Sequence, residues 1–253
     1  MAYLIAALFG LVIGSFLNVC IYRLPLDQSI VWPASRCTAC GRELSWYENI
    51  PVLSYAVLGG KCRTCRAHIS LMYPVIEALT ALVFVATYAE FGLSWLLAIR
   101  LVFGCAMIVL LVIDLQHQIL PNEITVSGIV VGLAASFLAG PGWRDSLIGA
   151  VAGGGILWLV AWGYQRLRHQ EGLGFGDVKM LAMIGAFLGW KLMLLTLGSA
   201  SVLGSLTAGA LMLVGRAGLQ SKLPLGTFMA VAAILASLFG APIVEWYLAF
   251  YRW

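Results

Sequence analysis

Two acidic residues and four cysteines are the side chains of this sequence whose types and spacing predict chemistry. Asp114 closes the apolar run 109–113, and Asp177 opens another apolar segment directly after Gly174-Phe175-Gly176. Charged groups at or within a membrane are costly and usually mark a functional site. When two carboxylates come together, the ionised one can take a proton from water and the neutral one can donate to a substrate carbonyl. The pair therefore predicts aspartyl-protease chemistry.

Each carboxylate also has a simpler interpretation, in which it only caps a helix end or extends from it to the membrane surface. Asp177 fits this alternative, because an acid near a helix N-terminus is stabilised by the helix dipole. Asp114 fits it less well, since a helix C-terminus disfavours negative charge. Gly174 and Gly176 are predicted to position the substrate, because glycine permits unusual backbone conformations and lets an extended peptide approach Asp177. A simple glycine hinge is the alternative at these two positions.

Two Cys-x-x-Cys knuckles, separated by twenty-one residues, indicate a metal site made of Cys37, Cys40, Cys62 and Cys65. Four thiolates at this spacing can form the tetrahedron of a closed structural zinc site. Gly41 and the pair Gly59-Gly60 are expected to supply the turns. Disulfides are disfavoured in a reducing cytoplasm, and no βαβ pattern suggests a thioredoxin-like pair. The metal is therefore expected to stabilise the fold rather than to take part in a reaction.

The composition identifies the solvent of most of the chain as lipid. The 253 residues are 62% hydrophobic and 10% charged, with a mean hydropathy of +0.96, whereas soluble domains are about 45–50% apolar and about 25% charged. This excludes an ordinary soluble enzyme, a disordered chain and a fibre. The net charge of +4 comes without a clustered basic face, so no nucleic-acid partner is expected.

Apolar segments that can cross a bilayer as helices make up most of the chain. They lie at 1–20, 74–91, 93–113, 124–140, 147–164, 178–191, 193–214 and 225–250. We therefore predict an all-α polytopic membrane protein with about eight transmembrane helices. A first helix at 1–22 precedes a polar segment at 23–73, and a bundle at 74–253 follows. The polar segment is predicted to be a small zinc-binding domain between the first and second helices, too short to bury a sufficient core without a metal.

The distribution of basic residues predicts the orientation in the membrane. Most of them lie in the segment 23–73, in the loop with Arg166, Arg168, His169 and Lys179, and in the loop with Arg216 and Lys222. With eight spans, these loops and the connection 114–123 fall on one side, which is then the cytoplasm. The opposite loops hold few basic residues, and the N-terminus is expected outside.

At the level of motifs, the sequence resembles the type IV prepilin peptidases, the bifunctional leader peptidase/N-methyltransferases of bacterial inner membranes, which are Gly-x-Gly-Asp membrane aspartyl proteases. The resemblance covers essentially the whole chain. Its motifs, besides the two cysteine knuckles, are Gly14-Ser15-Phe16-Leu17-Asn18-Val19, Tyr22-Arg23-Leu24-Pro25, Tyr47-Glu48-Asn49-Ile50-Pro51, Tyr73-Pro74-Val75-Ile76-Glu77, Asp114 with His117-Gln118-Ile119-Leu120-Pro121, and Glu171-Gly172-Leu173-Gly174-Phe175-Gly176-Asp177.

This resemblance implies a two-step reaction at the cytoplasmic face of the membrane. The family's catalytic aspartates match Asp114 and Asp177, and its metal-binding cysteines match the four knuckle cysteines. Such an enzyme removes the leader of type IV prepilins or type II secretion pseudopilins after a glycine. It then methylates the new N-terminal residue with S-adenosylmethionine.

The sequence departs from the family pattern at three places. Thr38 stands where a proline often follows the first knuckle cysteine, and Asn122 stands where an acid often follows Leu-Pro. A Pro-x-Gly-Pro stretch appears here as Pro224-Leu225-Gly226-Thr227. None of the three changes an aspartate, so peptidase activity is still expected, while the last two could alter how the substrate is positioned.

Three residues of the N-terminal region are candidates for handling the methyl donor or the amine, namely Glu48, Asn49 and Glu77. Carboxylates beside basic residues are more often part of surface salt bridges, and this alternative stays open. Two rival functions also remain. One is a membrane peptidase without methyl transfer, which is disfavoured because peptidase-only archaeal relatives lack the cysteine domain. The other is an ion-coupled transporter with a zinc docking module, in which Asp114 and Asp177 would carry protons or cations.

Overall fold

The computed structural model describes residues 1–168, 174–215 and 224–250. Within these ranges the regular structure is helical, apart from two isolated β-bridges. The longer helices are α1 (Ala2–Arg23), α2 (Leu53–Val57), α3 (Met72–Phe91), α4 (Trp95–His117), α5 (Asn122–Ala135), α6 (Trp143–Arg168), α7 (Phe175–Leu213) and α8 (Leu225–Phe250). The predicted all-α class is confirmed.

Six of the described helices are long and apolar enough to cross a membrane: α1, α3, α4, α6, α7 and α8. The chain is therefore a multi-pass membrane protein, but helices of spanning length number fewer than the predicted eight. The predicted span 124–140 corresponds to α5, whose 14 residues reach only about 21 Å. The predicted spans 178–191 and 193–214 both lie within the range of α7, which consists of two helical segments joined at a kink.

The chain forms two compact units, which meet in sequence between Leu97 and Ala98. In the first unit α1 packs antiparallel to α3, and two glycines of α1 allow the close approach. A Cβ on Gly10 would lie 2.6 Å from the Cα of Ala81, and a Cβ on Gly14 would lie 2.7 Å from the Cα of Glu77. The first compact unit therefore includes α3.

The polar segment between α1 and α3 begins with a network around Arg23. This buried residue ends α1, and its guanidinium donates to the carbonyl of Ser29 at 2.9 Å and to that of Pro33 at 2.7 Å. Hydrogen bonds from a charged donor are stronger than neutral ones. The side chain at the end of α1 therefore holds the start of the polar segment in place.

The second unit is built around α6 and the first half of α7, which cross at glycines. A Cβ on Gly185 would lie only 2.1 Å from the carbonyl oxygen of Gly149, and a Cβ on Gly153 would lie 2.7 Å from that of Leu181. Small residues let membrane helices approach closely where lipid provides no hydrophobic drive. Ser146 adds a hydrogen bond from its hydroxyl to the carbonyl of Ala186 across this interface.

Replacing Gly185 by alanine is expected to lower the thermal unfolding midpoint in detergent, because its Cβ must push two backbones apart. Overpacking of this kind costs about 1–3 kcal/mol. The matched control is Gly198→Ala in the same helix, whose Cβ would meet nothing within 4 Å. Helix propensity favours that change by up to about 1 kcal/mol. Equal midpoints for the two variants would contradict the close crossing.

A kink divides α7 at Gly189, whose φ of 78° and ψ of 169° are not helical. Such a left-handed φ is readily adopted only by glycine. The position is also crowded, because a Cβ there would lie 2.9 Å from the Cβ of Pro141. The helix therefore has a first segment at 175–188 and a second segment at 190–213.

Contacts with α8 show that the two segments of α7 run in opposite directions. Leu120 contacts both Gly176, near the start of α7, and Gly226, at the start of α8. Gly204 of the second segment packs on Phe228, also at the start of α8. In a straight helix Gly176 and Gly204 would be separated by about 42 Å. The chain therefore turns back at the kink, close to the boundary between the spans predicted at 178–191 and 193–214.

Several residues used in the sequence-based topology lie outside the described ranges. They are His169, Glu171, Gly172, Leu173, Arg216, Lys222 and Arg252.

Candidate active site and metal centre

Asp114 lies in the last turn of α4 and is buried, with 5% of its surface exposed. The preceding residues from Phe103 to Ile113 supply much of the core of the second unit, so the helix brings the carboxylate to the end of a well-packed segment. Its Oδ2 accepts two hydrogen bonds from Thr227, one from the backbone N–H at 2.6 Å and one from the hydroxyl at 2.9 Å. The carboxylate is thus attached to the start of α8.

Asp177 is the third residue of α7 and is half-buried. Gly174 is the N-cap of this helix, and its backbone hydrogen-bonds to the Asp177 carboxylate. This is half of a capping box, so the capping interaction considered from the sequence is present. The same carboxylate also interacts electrostatically with Asp114. The Asp177 carboxylate therefore caps the start of α7 and also interacts with Asp114 of α4.

Leu120 shows how the two acidic residues are brought together. Its side chain lies 3.0 Å from a Cβ built on Gly176, next to Asp177, and 3.2 Å from one built on Gly226, beside Asp114. Larger residues at either glycine would displace this leucine. Leu120 therefore packs against two chain segments that are far apart in the sequence. The segment at Gly176 adjoins Asp177, and the segment at Gly226 contacts Asp114.

The two glycines before Asp177 do not have the unusual backbone expected from the sequence. Gly174 has φ of −70° and ψ of 140°, which any residue can adopt, and Gly176 is helical. Space limits Gly176, whereas a side chain at Gly174 would make only ordinary van der Waals contacts. A Cβ on Gly174 would lie 3.5 Å from Oδ2 of Asp177, and one on Gly176 would contact Leu120.

The sequence did not identify Thr227 as a partner of Asp114. The only signal was the departure at Pro224-Leu225-Gly226-Thr227, which marked the stretch without saying what it touches. A second departure also has a visible partner, since Lys179 of α7 donates a hydrogen bond to the side-chain oxygen of Asn122 at the start of α5. Both departures therefore lie at helix starts, and each has a partner in another helix.

The four knuckle cysteines form a cluster in the first unit. Their sulfur atoms all lie within 4.8 Å of one another, and those of Cys37 and Cys65 are 3.8 Å apart. A tetrahedral zinc with Zn–S bonds of about 2.3 Å requires sulfur atoms about 3.8 Å apart. None of the cysteines forms a disulfide. The cluster can hold a metal ion, and its geometry fits zinc.

The two knuckles repeat one backbone arrangement. In the first, the N–H of Cys37 donates to the carbonyl of Arg42 and the N–H of Gly41 donates back to Cys37. In the second, the N–H of Cys62 donates to Ala67 and the N–H of Arg66 donates back to Cys62. Positive φ values occur at the expected glycines, 71° at Gly41, 61° at Gly59 and 67° at Gly60, and also at Arg66, which corresponds to Gly41 in the second knuckle.

Backbone amides and neighbouring thiols determine the ionisation of the cluster. Hydrogen bonds from the backbone of Cys65 and of Thr64 lower the pKa of Cys62 to about 6. At Cys65, a backbone hydrogen bond from Ala67 is outweighed by local desolvation and by the neighbouring thiols, which raise its pKa to about 11. Amides directed at sulfur stabilise thiolate, the form that binds metal. The amides around Cys62 therefore favour the thiolate form at that cysteine.

Glu48 is held by the knuckle domain itself. Its carboxylate accepts a hydrogen bond from Arg42 at 2.7 Å and one from the backbone of Ser45 at 2.8 Å, and its side chain is only 3% exposed. The Arg42 hydrogen bond, followed by that of Ser45, lowers the pKa of Glu48. The salt-bridge alternative thus describes Glu48, while Asn49 ends the short 3-10 helix Trp46–Asn49.

Glu77 connects α3 to the polar segment. It is buried, at 7% exposure, and its Oε2 accepts the N–H of Val52 at 2.7 Å. Ser15 of α1 also hydrogen-bonds to this carboxylate. Val52 has a φ of 59°, which is unusual for a β-branched residue. Glu77 therefore stabilises a strained turn, rather than forming a surface salt bridge.

Two family models and several known proteins match the sequence of this chain. The model of the bacterial peptidase A24 N-terminal domain matches residues 8–91, and that of the type IV leader peptidase family matches residues 101–209. A prepilin leader peptidase/N-methyltransferase of Myxococcus xanthus is 45% identical over 84% of this chain and 64% of that relative. Proteins of the same name from Pseudomonas aeruginosa and Aeromonas hydrophila are 34% and 35% identical, over 96% and 95% of this chain and 92% of each relative. No solved structure matches the chain.

Proposed function

The chain belongs to the type IV leader peptidase family, and on that premise we propose that it is a bifunctional membrane enzyme. It cleaves the leader of type IV prepilins or type II secretion pseudopilins after a glycine, and it then methylates the new N-terminal amine. The convergence of Asp114 and Asp177 around Leu120 supports the peptidase reaction most directly. Gly174 and Gly176 keep the approach to Asp177 free of side chains.

In this proposal the two carboxylates act as a general acid and a general base. The ionised carboxylate takes a proton from a water molecule, and the oxygen of that water attacks the scissile carbonyl carbon. The neutral carboxylate donates its proton to the carbonyl oxygen, which gives a tetrahedral diol. The diol then collapses: the carboxyl that took the proton from water gives it to the leaving amine, and the other carboxylate takes a proton from a diol hydroxyl, which restores the pair. Pairs of this kind work because the environment keeps one carboxyl neutral and the other charged.

The membrane setting suits such a substrate. A prepilin has a polar leader followed by an apolar helix, so its scissile bond lies where the helix leaves the bilayer. Asp114 and Asp177 lie at the end of α4 and the start of α7, both helices of spanning length. Carboxylates at such ends lie near the membrane surface rather than in mid-membrane, where the ion sites of transporters are typical.

We propose zinc as the ion of the cysteine cluster. Cys37, Cys40, Cys62 and Cys65 would hold it, and a closed site of four thiolates supplies folding stability rather than catalysis. S-adenosylmethionine is the second substrate, and its methyl group passes to the amine that cleavage exposes. The name shared by the relatives supports this second reaction.

We propose eight membrane segments. This number counts α7 as two segments and includes the short α5 together with the five other helices of spanning length. The reversal at Gly189 supports this number. The basic residues of the polar segment and of the loops that follow α6 and α7 favour the cytoplasmic side for those regions by the positive-inside rule. The membrane is then the bacterial inner membrane, and prepilins reach it from the cytoplasm.

The decisive experiment uses the full chain in detergent with a prepilin and methyl-labelled S-adenosylmethionine. We expect one cleavage after a glycine, detected by mass spectrometry of the mature peptide, followed by label on its N-terminal amine. Cleavage without label would support the peptidase-only alternative. An intact prepilin, with the chain folded and the lipid composition varied, would refute the proposal.

Gly226→Ala is expected to reduce the rate of prepilin cleavage by about a hundred-fold. Its Cβ would lie 2.9 Å from Oδ2 of Asp114, so the carboxylate must move, and a misplacement of about 1 Å can cost about 10²-fold. The control is Gly209→Ala in α7, where a Cβ meets nothing within 4 Å. Initial rates of both variants test the prediction, and equal rates would exclude close packing at Asp114.

A further inference from the structure

Thr227 makes both of its short hydrogen bonds to a single oxygen of Asp114. The backbone N–H and the hydroxyl each donate to Oδ2, at 2.6 Å and 2.9 Å. Thr227 is the third residue of α8, and the first N–H groups of a helix have no partner within it. The start of α8 thus offers one donor at any residue except proline, while the second donor exists only because a hydroxyl stands here.

We infer that Thr227 is a positioning residue of the peptidase reaction, which holds Asp114 by Oδ2 so that Oδ1 exchanges the proton with water. This inference rests on the proposed peptidase function. The terminal torsion of an aspartate has a broad energy profile, so its two oxygens exchange places unless partners hold them. Two donors from one helix start distinguish Oδ2 from Oδ1.

The packing on the Oδ2 side supports this assignment. The backbone of Gly226 lies so close that a Cβ there would be 2.9 Å from Oδ2 and 3.0 Å from the carboxyl carbon. Oδ2 therefore faces α8, where a substrate peptide has no room. Among the described residues, the hydrogen bonds to this carboxylate both fall on Oδ2. The remaining oxygen, Oδ1, is the one left for water and the scissile carbonyl.

Thr227→Val and Thr227→Ser separate the hydroxyl from the bulk of the side chain. Valine keeps the shape and the backbone N–H but loses the second donor, and serine restores it. With a prepilin substrate we expect kcat to fall about ten-fold in Thr227→Val with KM unchanged, and Thr227→Ser to stay within about three-fold of the parent. A ten-fold loss corresponds to about 1.4 kcal/mol at the transition state, which is the size expected for one hydrogen bond.

The control is Thr196→Val, which also removes a buried hydroxyl, one that donates to the carbonyl of Leu192 within its own helix. It should leave kcat unchanged. The inference is overturned if Thr227→Val keeps the parental kcat, if Thr227→Ser loses as much as Thr227→Val, or if the loss in Thr227→Val appears in KM alone.

A spectroscopic measurement tests the same contact without relying on turnover. Infrared difference spectra against Asp114→Asn identify the carboxyl band of Asp114. We expect this band to move to higher wavenumber in Thr227→Val and to return in Thr227→Ser, because a lost hydrogen bond strengthens the C=O bond. An unmoved band refutes the inference. If the band moves but the parent protein does not cleave prepilin, the proposed function fails while the contact stands.

Discussion

Replacing either Asp114 or Asp177 by asparagine is expected to reduce prepilin cleavage by about a thousand-fold or more. General acid–base catalysis by one group contributes roughly 10²–10⁴-fold. When one carboxylate is replaced, the remaining one cannot act as both the general acid and the general base. An asparagine side chain neither accepts a proton from water nor delivers one to a carbonyl oxygen. Single-turnover cleavage with the mature peptide quantified by mass spectrometry measures the loss.

Asparagine also separates catalysis from folding at Asp114. Its side-chain oxygen can still accept the two hydrogen bonds from Thr227, so the attachment to α8 survives and the thermal unfolding midpoint should stay close to that of the parent. A matched control is Asp27→Asn, at an exposed position with a φ of 53°, since asparagine tolerates this conformation well. Asp27→Asn should cleave normally.

Methyl transfer provides the second comparison for these variants. A peptide that already lacks its leader offers no bond to hydrolyse, so Asp114→Asn and Asp177→Asn should still transfer label to it. Cleavage at more than a tenth of the parental rate in either variant would refute the assignment of the pair. Loss of both reactions together with a lowered midpoint would mean that the carboxylate is needed for the fold.

The sequence predicted those parts of the site that short motifs encode. Asp177 follows two glycines at the start of an apolar segment, and Asp114 ends another, so both helix ends could be identified from neighbouring residues. The cysteine knuckles likewise contain their turns within a few positions. In each case local sequence determines local geometry, and only the meeting of the separate pieces had to be inferred from chemistry.

Partners that are distant in the chain could not be predicted in the same way. Thr227 lies in another helix than Asp114, and no periodicity relates the two positions. Leu120 appeared in a motif, yet nothing in its type indicates that it packs between two glycines. Such contacts depend on how helices α4, α7 and α8 pack, which hydropathy and spacing do not specify.

The helix count shows a similar limit. Hydropathy predicted two separate spans at 178–191 and 193–214, but it did not identify the residue at which the chain turns between them. Gly189 is that residue, because a left-handed residue at a crowded position ends one helical direction and begins another. Glycine is so frequent in membrane helices that its type alone does not predict a turn.

Removal of the metal from the cysteine cluster is expected to unfold the polar segment while the helices of the first unit persist. Binding of structural zinc to small domains is worth about 10–16 kcal/mol, far more than so small a segment gains from its own core. We expect one zinc per chain by elemental analysis of the purified protein. After treatment with a strong chelator, protease sites between residues 30 and 70 should open, whereas α1 and α3 stay paired through their glycines.

The double variant Cys37→Ser with Cys65→Ser tests this cluster without a chelator, because it removes one thiolate from each knuckle. It should lose the zinc and show the same protease sites, and it should also lose methyl transfer if that reaction needs the folded segment. Cys105→Ala, in the membrane helix α4, removes a thiol elsewhere and should keep one zinc per chain. A closed four-thiolate site has no open position for a substrate, so the metal is expected to act only on folding. If a metal-free variant stays folded and transfers methyl groups at the parental rate, the cysteines do not stabilise this segment through a metal.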